Sequence, residues 1–315
     1  MSQQWDLAGK TVVVTGANVG LGKVTVIELL KLNVAKVIMA CRNMTTANET
    51  AGEIRRQFGF SDGDEGEGRP QKIAVRHLDL ASFKSIRKFA DTIKEEEQNL
   101  HVLINNAGIN PPEDKRITED GFELCFQTNY LGQVYLTHLL MDLLKKSAPS
   151  RIIVLSSEGY KFCWPKGLIV DDLQFEKRKF DSWQAYCQSK LAFLLYCKKL
   201  SEILKNDQIS VFSVHPGMVQ TNILRDRSKA WQFFVDKIVA PLGFIVITPE
   251  KGVRTTIYCA KQAGIEQFSG GYFENSKHTS LMAMAEDEEK MNQLWDFTQQ
   301  CLDDLSAKTT SGSVE

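Results

Sequence analysis

Tyr186 and Lys190 lie four residues apart in the segment SWQAYCQSKLAF, residues 182–193, and are residue types that could handle a proton. On a helix this spacing places both side chains on one face, about one turn apart. A phenol has a pKa of about 10 and is a poor base at neutral pH, but a nearby ammonium favours the phenolate. The pair could therefore exchange protons with a substrate, although Tyr and Lys also occur at this spacing by chance.

A glycine-rich loop near the N-terminus is a second candidate site. It follows the predicted strand KTVVVTGA and opens the predicted helix GLGKVTVIELLKL. Glycines let backbone N–H groups approach a pyrophosphate closely, and the helix N-terminus supplies partial positive charge. A tight turn without a ligand is the alternative, but the strand before the loop and the helix after it favour a dinucleotide site. The residues expected to line this site are Gly16, Asn18, Gly20, Leu21 and Gly22.

The elements that must position these residues alternate between strands and helices. Runs such as KTVVVTGA and SRIIVLSS are continuously apolar, which is typical of strands buried on both faces. Strand–helix alternation predicts βαβ units and a parallel sheet. We therefore expect an α/β fold: one doubly wound, mostly parallel, seven-stranded sheet of the Rossmann type, forming a single domain over residues 1–305. Residues 306–315 are expected to form a disordered tail.

Several motifs occur in the order typical of one enzyme family. The glycine spacing is GxxxGxG, NNAG follows the fourth predicted strand, and YxxxK follows the fifth. With these motifs the chain resembles the short-chain dehydrogenase/reductase family from about residue 10 to 275. The resemblance implies a nicotinamide cofactor, held beyond the glycine loop by Asp79, Leu80, Asn106, Ala107, Gly108, Tyr186, Lys190, Pro216, Gly217 and Thr221.

The same resemblance implies a catalytic tetrad. Tyr186 would exchange a proton with the substrate oxygen as general acid or base, while Lys190 would lower the Tyr186 pKa and hydrogen-bond the nicotinamide ribose. Ser157, at the end of the fifth predicted strand, would hydrogen-bond the substrate oxygen. Asn129 would hold a water that connects to the lysine. Taken alone, Ser157 could be a turn cap and Asn129 a helix-start residue.

The choice of cofactor depends on Arg42, at the end of the second predicted strand. An acidic residue at this point would bind the ribose 2′-hydroxyl of NAD, whereas an arginine suits the 2′-phosphate of NADP. Residues 36–48 contain no Asp or Glu. We therefore expect NADP(H) rather than NAD(H), the alternative being that Arg42 is a solvated side chain at a strand end.

Ser157 and Tyr186 are 29 residues apart, because the chain carries an insertion over residues 158–181. This insertion, with ACRN, AYCQSKLA and HPGMVQTNI, resembles the retinol-dehydrogenase-like branch of the family. Residues 221–247 are apolar and by resemblance form a lid over an apolar alcohol, aldehyde or ketone, such as a retinoid, steroid or lipid carbonyl. Alternatively they pack on the core or on a partner subunit, or residues 231–247 make peripheral contact with a membrane.

The composition argues against several other classes of protein. The 315 residues carry a formal net charge of −1, so we expect no nucleic-acid binding. Seven cysteines without a CxxC motif, and histidines without metal-ligand spacing, argue against a disulfide framework or a metal site and favour a reducing compartment. No signal peptide or membrane span is visible, so we expect a cytoplasmic location.

Two functional hypotheses follow. The first is an NADP(H)-dependent oxidoreductase that interconverts an apolar alcohol and its aldehyde or ketone. The second is a catalytically quiet scaffold or sensor that binds the cofactor and acts through protein partners, since fold alone does not determine function. The complete tetrad favours the enzyme. Family members usually pair subunits through the two long helices before and after the fifth strand, so a homodimer is one expectation for assembly.

Overall fold

The computed structural model describes residues 5–60, 72–163, 167–217, 219 and 247–310, and these contain one sheet of eight strands. Seven strands run parallel in the order β3-β2-β1-β4-β5-β6-β7, and β8 pairs antiparallel with β7. The predicted α/β doubly wound fold is confirmed. The strands are β1 Thr11–Thr15, β2 Lys36–Cys41, β3 Ile73–His77, β4 Val102–Asn105, β5 Ser150–Leu155, β6 Ile209–His215, β7 Tyr272–Glu274 and β8 Lys277–Thr279.

Helices cover both faces of the sheet. The described helices are α1 Gly20–Lys31, α2 Met44–Phe58, α3 Phe83–Glu96, α4 Leu124–Phe126, α5 Gly132–Leu139, α6 Met141–Lys146, α7 Ser182–Ile203, α8 Pro249–Gly252, α9 Arg254–Lys261 and α10 Glu288–Thr310. One apolar cluster joins the sheet to α3, α5, α7 and α10, and a second joins its other face to α1, α2 and α9.

Strand β1 shows why the strands are continuously apolar. Val12, Val13 and Val14 are all fully buried. Val13 belongs to the cluster on the α7 side, whereas Val12 and Val14 belong to the cluster on the α1 side. Successive side chains of a strand point to opposite faces, so a sheet covered on both faces needs an apolar residue at every position.

The order of the strands reverses at β1, which lies between β2 and β4. In open α/β sheets, ligands bind in the crevice outside the carboxyl ends of the strands at such a reversal. The glycine loop follows β1 and the NNAG motif follows β4. The fold therefore brings the two predicted cofactor motifs to one crevice.

The helical region before β5 is interrupted by a π turn. Helix α4 is followed by a five-residue π segment, Gln127–Leu131, before α5 begins at Gly132. Single π turns within helices often occur at functional sites. This turn contains Asn129, whose side chain faces the crevice motifs, and Tyr130, whose side chain faces α10.

The last helix, α10, packs across α7 and the π turn. The Tyr130 hydroxyl is hydrogen-bonded to Oγ1 of Thr298 at 2.7 Å. The ring of Tyr196 stacks on Trp295 of α10 with centroids 5.8 Å apart. The neighbouring residue of α10, Leu294, is buried. Helix α10 therefore covers the side of α7 and of the π turn that carries Tyr196 and Tyr130.

The structure differs from the sequence-based expectation at the end of the sheet and of the chain. Strand β8 adds an eighth strand, because Asn275 and Ser276 both adopt positive φ, at 50° and 59°, and form a two-residue hairpin turn. Helix α10 continues to Thr310, so the tail predicted to be disordered from residue 306 is helical in its first half.

The structure describes most of the insertion at residues 158–181 but little of the predicted lid at residues 221–247. Most of the predicted lid, residues 221–246, lies outside the described residues, so the alternatives for it remain predictions. The insertion, residues 158–181, begins with a 3-10 turn, Glu158–Phe162, and contains a second one, Val170–Asp172. Among the described residues, no helix is long and apolar enough to cross a membrane.

Candidate active site

The glycine loop is packed tightly against the NNAG motif. Gly22 has no room for a side chain, because a Cβ there would lie 2.2 Å from the Gly16 carbonyl oxygen and 2.7 Å from Nδ2 of Asn106. Gly16 and Gly20 have positive φ of 63° and 54°, which favours glycine. The Asn106 amide donates to the carbonyl oxygens of Thr15 at 2.7 Å and of Gly16 at 3.2 Å. The loop after β1 is thereby fastened to the segment after β4.

Ala107 continues this connection. Its N–H donates to Oγ1 of Thr15 at 2.9 Å, and its carbonyl oxygen accepts from Nε2 of Gln133 at 2.8 Å. Gln133 lies on α5 and is fully buried. The NNAG motif is therefore held from both sides, by β1 and by α5.

The start of helix α1 fits a bound anion. Helices α2, α3 and α7 are capped by the side chains of Asn43, Ser82 and Asp181, each of which accepts a main-chain N–H of its first turn. Helix α1 has Val19 at this position and no side-chain cap. Its first N–H groups are thus left for another partner, and the glycine loop beside them fits the pyrophosphate of a dinucleotide.

The other side of the loop is attached to α2, beside Arg42. The Asn18 side chain donates to Oγ1 of Thr46 at 2.8 Å, and the Asn18 carbonyl oxygen accepts from Oγ1 of Thr50 at 2.9 Å. Arg42 directly follows β2 and precedes the Asn43 cap of α2, and its side chain is exposed. Arg42 therefore follows β2 at the carboxyl edge of the sheet, with an exposed side chain and next in sequence to the helix that holds the glycine loop.

Asp79 and Leu80 follow β3 and lie beside the start of α5. The N–H of Asp79 donates to Oγ of Ser85 at 2.9 Å. Leu80 is buried, and a Cβ at Gly132 would lie 2.3 Å from the Leu80 carbonyl oxygen. The glycine that begins α5 thus lets this helix pass close to the two predicted cofactor residues.

Pro216 and Gly217 follow β6 at the same edge of the sheet. A Cβ at Gly252 would lie 3.3 Å from the Pro216 carbonyl oxygen and 2.8 Å from Cδ2 of Leu21. The segment after β6 therefore meets the glycine loop at α8. Gly217 has a φ of 82°. Thr221, the remaining predicted cofactor residue, lies outside the described residues.

The Tyr186 phenol lies at the end of β5, beside Ser157. The hydroxyl groups of these two residues are hydrogen-bonded, a contact that acts to lower the Tyr186 pKa. Ser157 also caps the 3-10 turn of the insertion, since its Oγ accepts from the N–H of Gly159 at 3.1 Å. A Cβ at Gly159 would lie 2.9 Å from Cε1 of Tyr186. Sequence reasoning missed Gly159, which leaves the space that the phenol occupies.

Lys190 lies one turn further along α7, as its spacing predicts. Its Nζ is 5.7 Å from the centre of the Tyr186 ring and donates to the carbonyl oxygen of Leu155 at 2.9 Å. The side chain is buried. A Cβ at Gly108 would lie 3.4 Å from Nζ, so the ammonium sits between β5 and the NNAG motif.

Burial controls the acidity of both residues. It raises the pKa of Tyr186 to about 12, against a smaller lowering by the hydrogen bond with Ser157. It lowers the pKa of Lys190 to about 8. The direction for Tyr186 is opposite to the sequence-based expectation, because removal of the phenol from water disfavours the phenolate. The phenol is therefore in its neutral, proton-donating form at neutral pH.

Asn129 is buried in the π turn and bound to the segment after the NNAG motif. Its Oδ1 accepts from the N–H of Ile109 at 2.7 Å, and its Nδ2 donates to the Ile109 carbonyl oxygen at 2.9 Å. Nδ2 also lies 3.1 Å from Oγ of Ser189, next to Lys190 on α7. A Cβ at Gly108 would lie 3.5 Å from Oδ1. Asn129 and Lys190 therefore approach Gly108 from two different elements.

An aromatic surface surrounds Tyr186, and sequence reasoning missed it. Trp183 stacks on the Tyr186 ring with centroids 5.7 Å apart and planes at 19°. Phe162, from the insertion, lies 6.0 Å from Trp183 and is 56% exposed. The side chains of Phe175 and Phe180 form a further pair close by. In the sequence, this aromatic surface was indicated only by the three-residue spacing of Trp183 and Tyr186, which places both rings on one face of a helix.

A sequence model of the family described as short chain dehydrogenase matches residues 10–168. Human retinol dehydrogenase 14 (Homo sapiens) is 42% identical over 303 residues, which cover 92% of this chain and 85% of that protein. This chain belongs to the short-chain dehydrogenase family. Human retinol dehydrogenase 13 is 40% identical over 290 residues, covering 92% and 83%. The crystal structure of an uncharacterized protein from Mycobacterium Paratuberculosis matches with a TM-score of 0.71, 29% identity and 96% coverage of both chains.

As a short-chain dehydrogenase, the protein is an oxidoreductase of alcohol or carbonyl groups that binds a nicotinamide cofactor. The predicted retinol-dehydrogenase-like branch is confirmed by the identity to retinol dehydrogenases over most of their length. The match to the family model ends at residue 168, before Tyr186. The matches to the retinol dehydrogenases cover 92% of this chain and therefore extend beyond that residue.

Proposed function

We propose that this short-chain dehydrogenase uses NADP(H) to interconvert an apolar alcohol and its aldehyde or ketone, with Tyr186 as general acid or base. One observation carries the proposal: the Tyr186 phenol is hydrogen-bonded to Ser157, with Lys190 buried one helical turn away. All three lie at the crevice that the glycine loop borders. This arrangement suits proton transfer to an oxygen atom held by two hydroxyl groups.

The four tetrad residues have separate roles in this proposal. In the direction of reduction, Tyr186 gives its phenolic proton to the carbonyl oxygen, while the Ser157 hydroxyl donates a hydrogen bond to the same oxygen. The Lys190 ammonium stabilises the phenolate that remains. Asn129 holds the main chain of Ile109 and so fixes the segment beside Gly108. A reduced nicotinamide held in the crevice would supply the hydride that the carbonyl carbon needs. Burial, which raises the pKa of Tyr186 to about 12, keeps the phenol protonated and so able to give up this proton.

The preference for NADP(H) rests on Arg42. Its exposed guanidinium follows β2 beside the glycine loop, and no acidic residue occurs between positions 36 and 48. A guanidinium binds phosphate through two parallel hydrogen bonds. Lys190, Asn106 and the uncapped start of α1 would contribute to binding the rest of the cofactor.

An apolar substrate is supported by two independent observations. Phe162 and Trp183 present aromatic surface beside Tyr186, where a substrate carbonyl must approach. The relatives with about 40% identity are named retinol dehydrogenases. We therefore propose a retinoid, steroid or lipid carbonyl as the substrate class.

The test is NADPH oxidation measured against retinal, steroid ketones and medium-chain aldehydes. Substrate-dependent oxidation is expected with the wild-type protein and loss of at least about 100-fold with Tyr186→Phe, which removes only the hydroxyl group. Cofactor affinity should survive this change. Full turnover by Tyr186→Phe on the best substrate would contradict the proposed role of Tyr186 as general acid or base. Tight NADPH binding without turnover on the whole panel would favour the scaffold hypothesis instead.

A cytoplasmic location and a peripheral membrane contact through residues 231–247 belong to the same proposal. Sedimentation with liposomes tests the membrane contact directly. Replacing Phe233 and Phe234, just inside this segment, by serine should abolish co-sedimentation if the contact is apolar. Equal sedimentation of the variant and the wild type would exclude it.

A further inference from the structure

A second cluster of ligand-type side chains lies at the carboxyl ends of β5, β6 and β7. Glu158 follows Ser157 after β5, His215 is the last residue of β6, and Glu274 is the last residue of β7. His215 and Glu274 are direct partners in the parallel ladder. One carboxylate oxygen of each glutamate and one ring nitrogen of the histidine lie within 4.8 Å of one another.

His215 is buried at the end of β6, and one of its ring nitrogens is unpaired among the described residues. The residue is only 4% exposed, and its Nδ1 has no hydrogen-bond partner in the part of the chain that the structure describes. Burial of an unpaired polar atom costs free energy, and such an atom in a native protein calls for an explanation. The hydroxyl of Tyr272 lies two residues before Glu274 on the same side of β7, and it too is buried with no hydrogen-bond partner among the described residues.

We propose that Glu158, His215 and Glu274 form a binding site for one divalent transition-metal ion, with zinc as the best fit. Two carboxylate oxygens and one imidazole nitrogen are a ligand set that zinc accepts, and an open fourth position for water is common where three protein ligands are present. An imidazole ligand selects zinc and its neighbours over Mg²⁺ and Ca²⁺, which take oxygen ligands. Rotation of the two glutamate side chains brings their oxygens towards the typical Zn–O distance of about 2.0–2.2 Å.

Lys161 is the resident cation at this cluster. Its ammonium pairs with Glu158, three residues earlier in the 3-10 turn, and also interacts with Glu274. Zinc binding must therefore displace this ammonium from at least one carboxylate oxygen. The pair is partly exposed on both sides, so the exchange occurs at a surface where exposed ion pairs contribute little.

The site would connect the insertion to the sheet. Glu158 directly follows Ser157, and His215 directly precedes Pro216. A bound ion would tie the start of the insertion to β6 and β7, and so hold Ser157 at the end of β5. Sequence spacing could not reveal the cluster, because its three members come from three strands that are distant in the chain and adjacent only in the sheet.

The test is a zinc titration of the chelator-treated full chain, in competition with a chromophoric chelator, and elemental analysis after dialysis. We expect one zinc ion per chain. Glu274→Gln, which conserves shape and removes the charge, should lower zinc affinity at least about tenfold. Lys161→Gln should raise it, because the competing ammonium is gone. Partial unfolding could also raise zinc affinity by exposing buried cysteines, so both variants are compared with the wild type by circular dichroism.

Two control variants distinguish this site from other sources of zinc binding. Glu286→Gln removes an exposed acid outside the cluster and should change nothing. Cys301→Ser removes the thiol that is least buried among the cysteines, and zinc binding should persist in it. The proposal is overturned by binding below one equivalent, by equal affinity in wild type and Glu274→Gln, or by loss of binding in Cys301→Ser. Equal affinity for Mg²⁺ would also overturn it, since it would exclude the imidazole as a ligand.

Discussion

Lys190 donates a hydrogen bond of 2.9 Å from Nζ to the main-chain carbonyl of Leu155, the last residue of β5. The ammonium is thereby held at the end of the strand that leads to Ser157. It is also buried, and burial lowers its pKa to about 8. The proposed electrostatic role of Lys190 is therefore sensitive to pH near the physiological range.

The first prediction concerns this sensitivity. The pKa of Lys190 is lowered from its ordinary value, so the ammonium is present below pH 8 and is lost as the pH rises through about 8. In the free protein, kcat/KM for carbonyl reduction should therefore fall by about tenfold per pH unit above that point. Lys190→Arg, which stays charged, should move the decline to higher pH. A flat wild-type profile up to pH 10 would contradict the assignment.

The second prediction concerns the space beside the phenol. Gly159→Ala places a methyl group 2.9 Å from Cε1 of Tyr186 and must displace the ring or the 3-10 turn. A displacement of about 1 Å can cost about 100-fold in rate, so we expect a loss of this order in kcat/KM with NADPH affinity retained. Gly52→Ala on α2 is the matched control, because its Cβ would meet only the end of Arg56, at 3.7 Å. Activity of Gly159→Ala within twofold of wild type would refute the argument.

The third prediction concerns the substrate. Phe162→Ala removes the exposed ring next to Trp183. Burial of a phenylalanine contributes about 1.5–3 kcal/mol, so KM for a retinoid or steroid carbonyl should rise roughly tenfold or more. KM for a small aldehyde should change little. Phe268→Ala, at the opposite end of β7 and 38% exposed, is the control. An equal rise for large and small substrates would point to damage of the site rather than to lost contact.

The fourth prediction concerns the cofactor. Arg42→Ala should weaken NADPH binding by roughly 10- to 100-fold, the equivalent of a charge-assisted hydrogen bond of about 1.5–3 kcal/mol. NADH binding should be unaffected, because NADH lacks the 2′-phosphate. Arg56→Ala, an exposed arginine in the last turn of α2, is the control. Tighter binding of NADH than NADPH to the wild type, with no effect of Arg42→Ala, would show that the assignment is wrong.

The fifth prediction concerns assembly. Helix α10 covers α7 and the π turn through Trp295, Thr298 and their aromatic partners. We expect light scattering at micromolar concentration to give the mass of one chain. A chain ending at Asp287 should self-associate, because it exposes Tyr130 and Tyr196. A full-length dimer that persists on dilution and is joined through α7 would contradict the prediction.

The strand pattern was enough to predict the sheet. Val12 to Val14 are apolar at every position because helices cover both faces of the sheet. The sequence alone shows this pattern. Strand β8 was missed because its residues are polar and its pairing depends on the positive φ of Asn275 and Ser276. Helix α10 was missed although Met291, Leu294 and Leu302 recur at helical spacing.

The site was only partly legible in the sequence. Tyr186 and Lys190 were predictable, since i and i+4 positions share a helix face. The acidity of Tyr186 was not, because burial is a property of the whole fold and here outweighs the hydrogen bond with Ser157. Gly159 and Phe162 were missed for the same kind of reason: their contacts join the insertion to α7 across the end of β5.

The π turn at Gln127–Leu131 has a consequence for how homologous chains align. Such a turn accommodates one residue more than an α-helical turn, and each residue of an α-helix rotates the chain by about 100°. Deletion of one residue here would rotate the residues before the turn by about 100° around the helix axis, relative to α5. Asn129 would then lose Ile109, or Tyr130 would lose Thr298. A homologue with a one-residue gap at this point in the alignment should therefore lack either the contact of Asn129 with Ile109 or the contact of Tyr130 with Thr298 on α10.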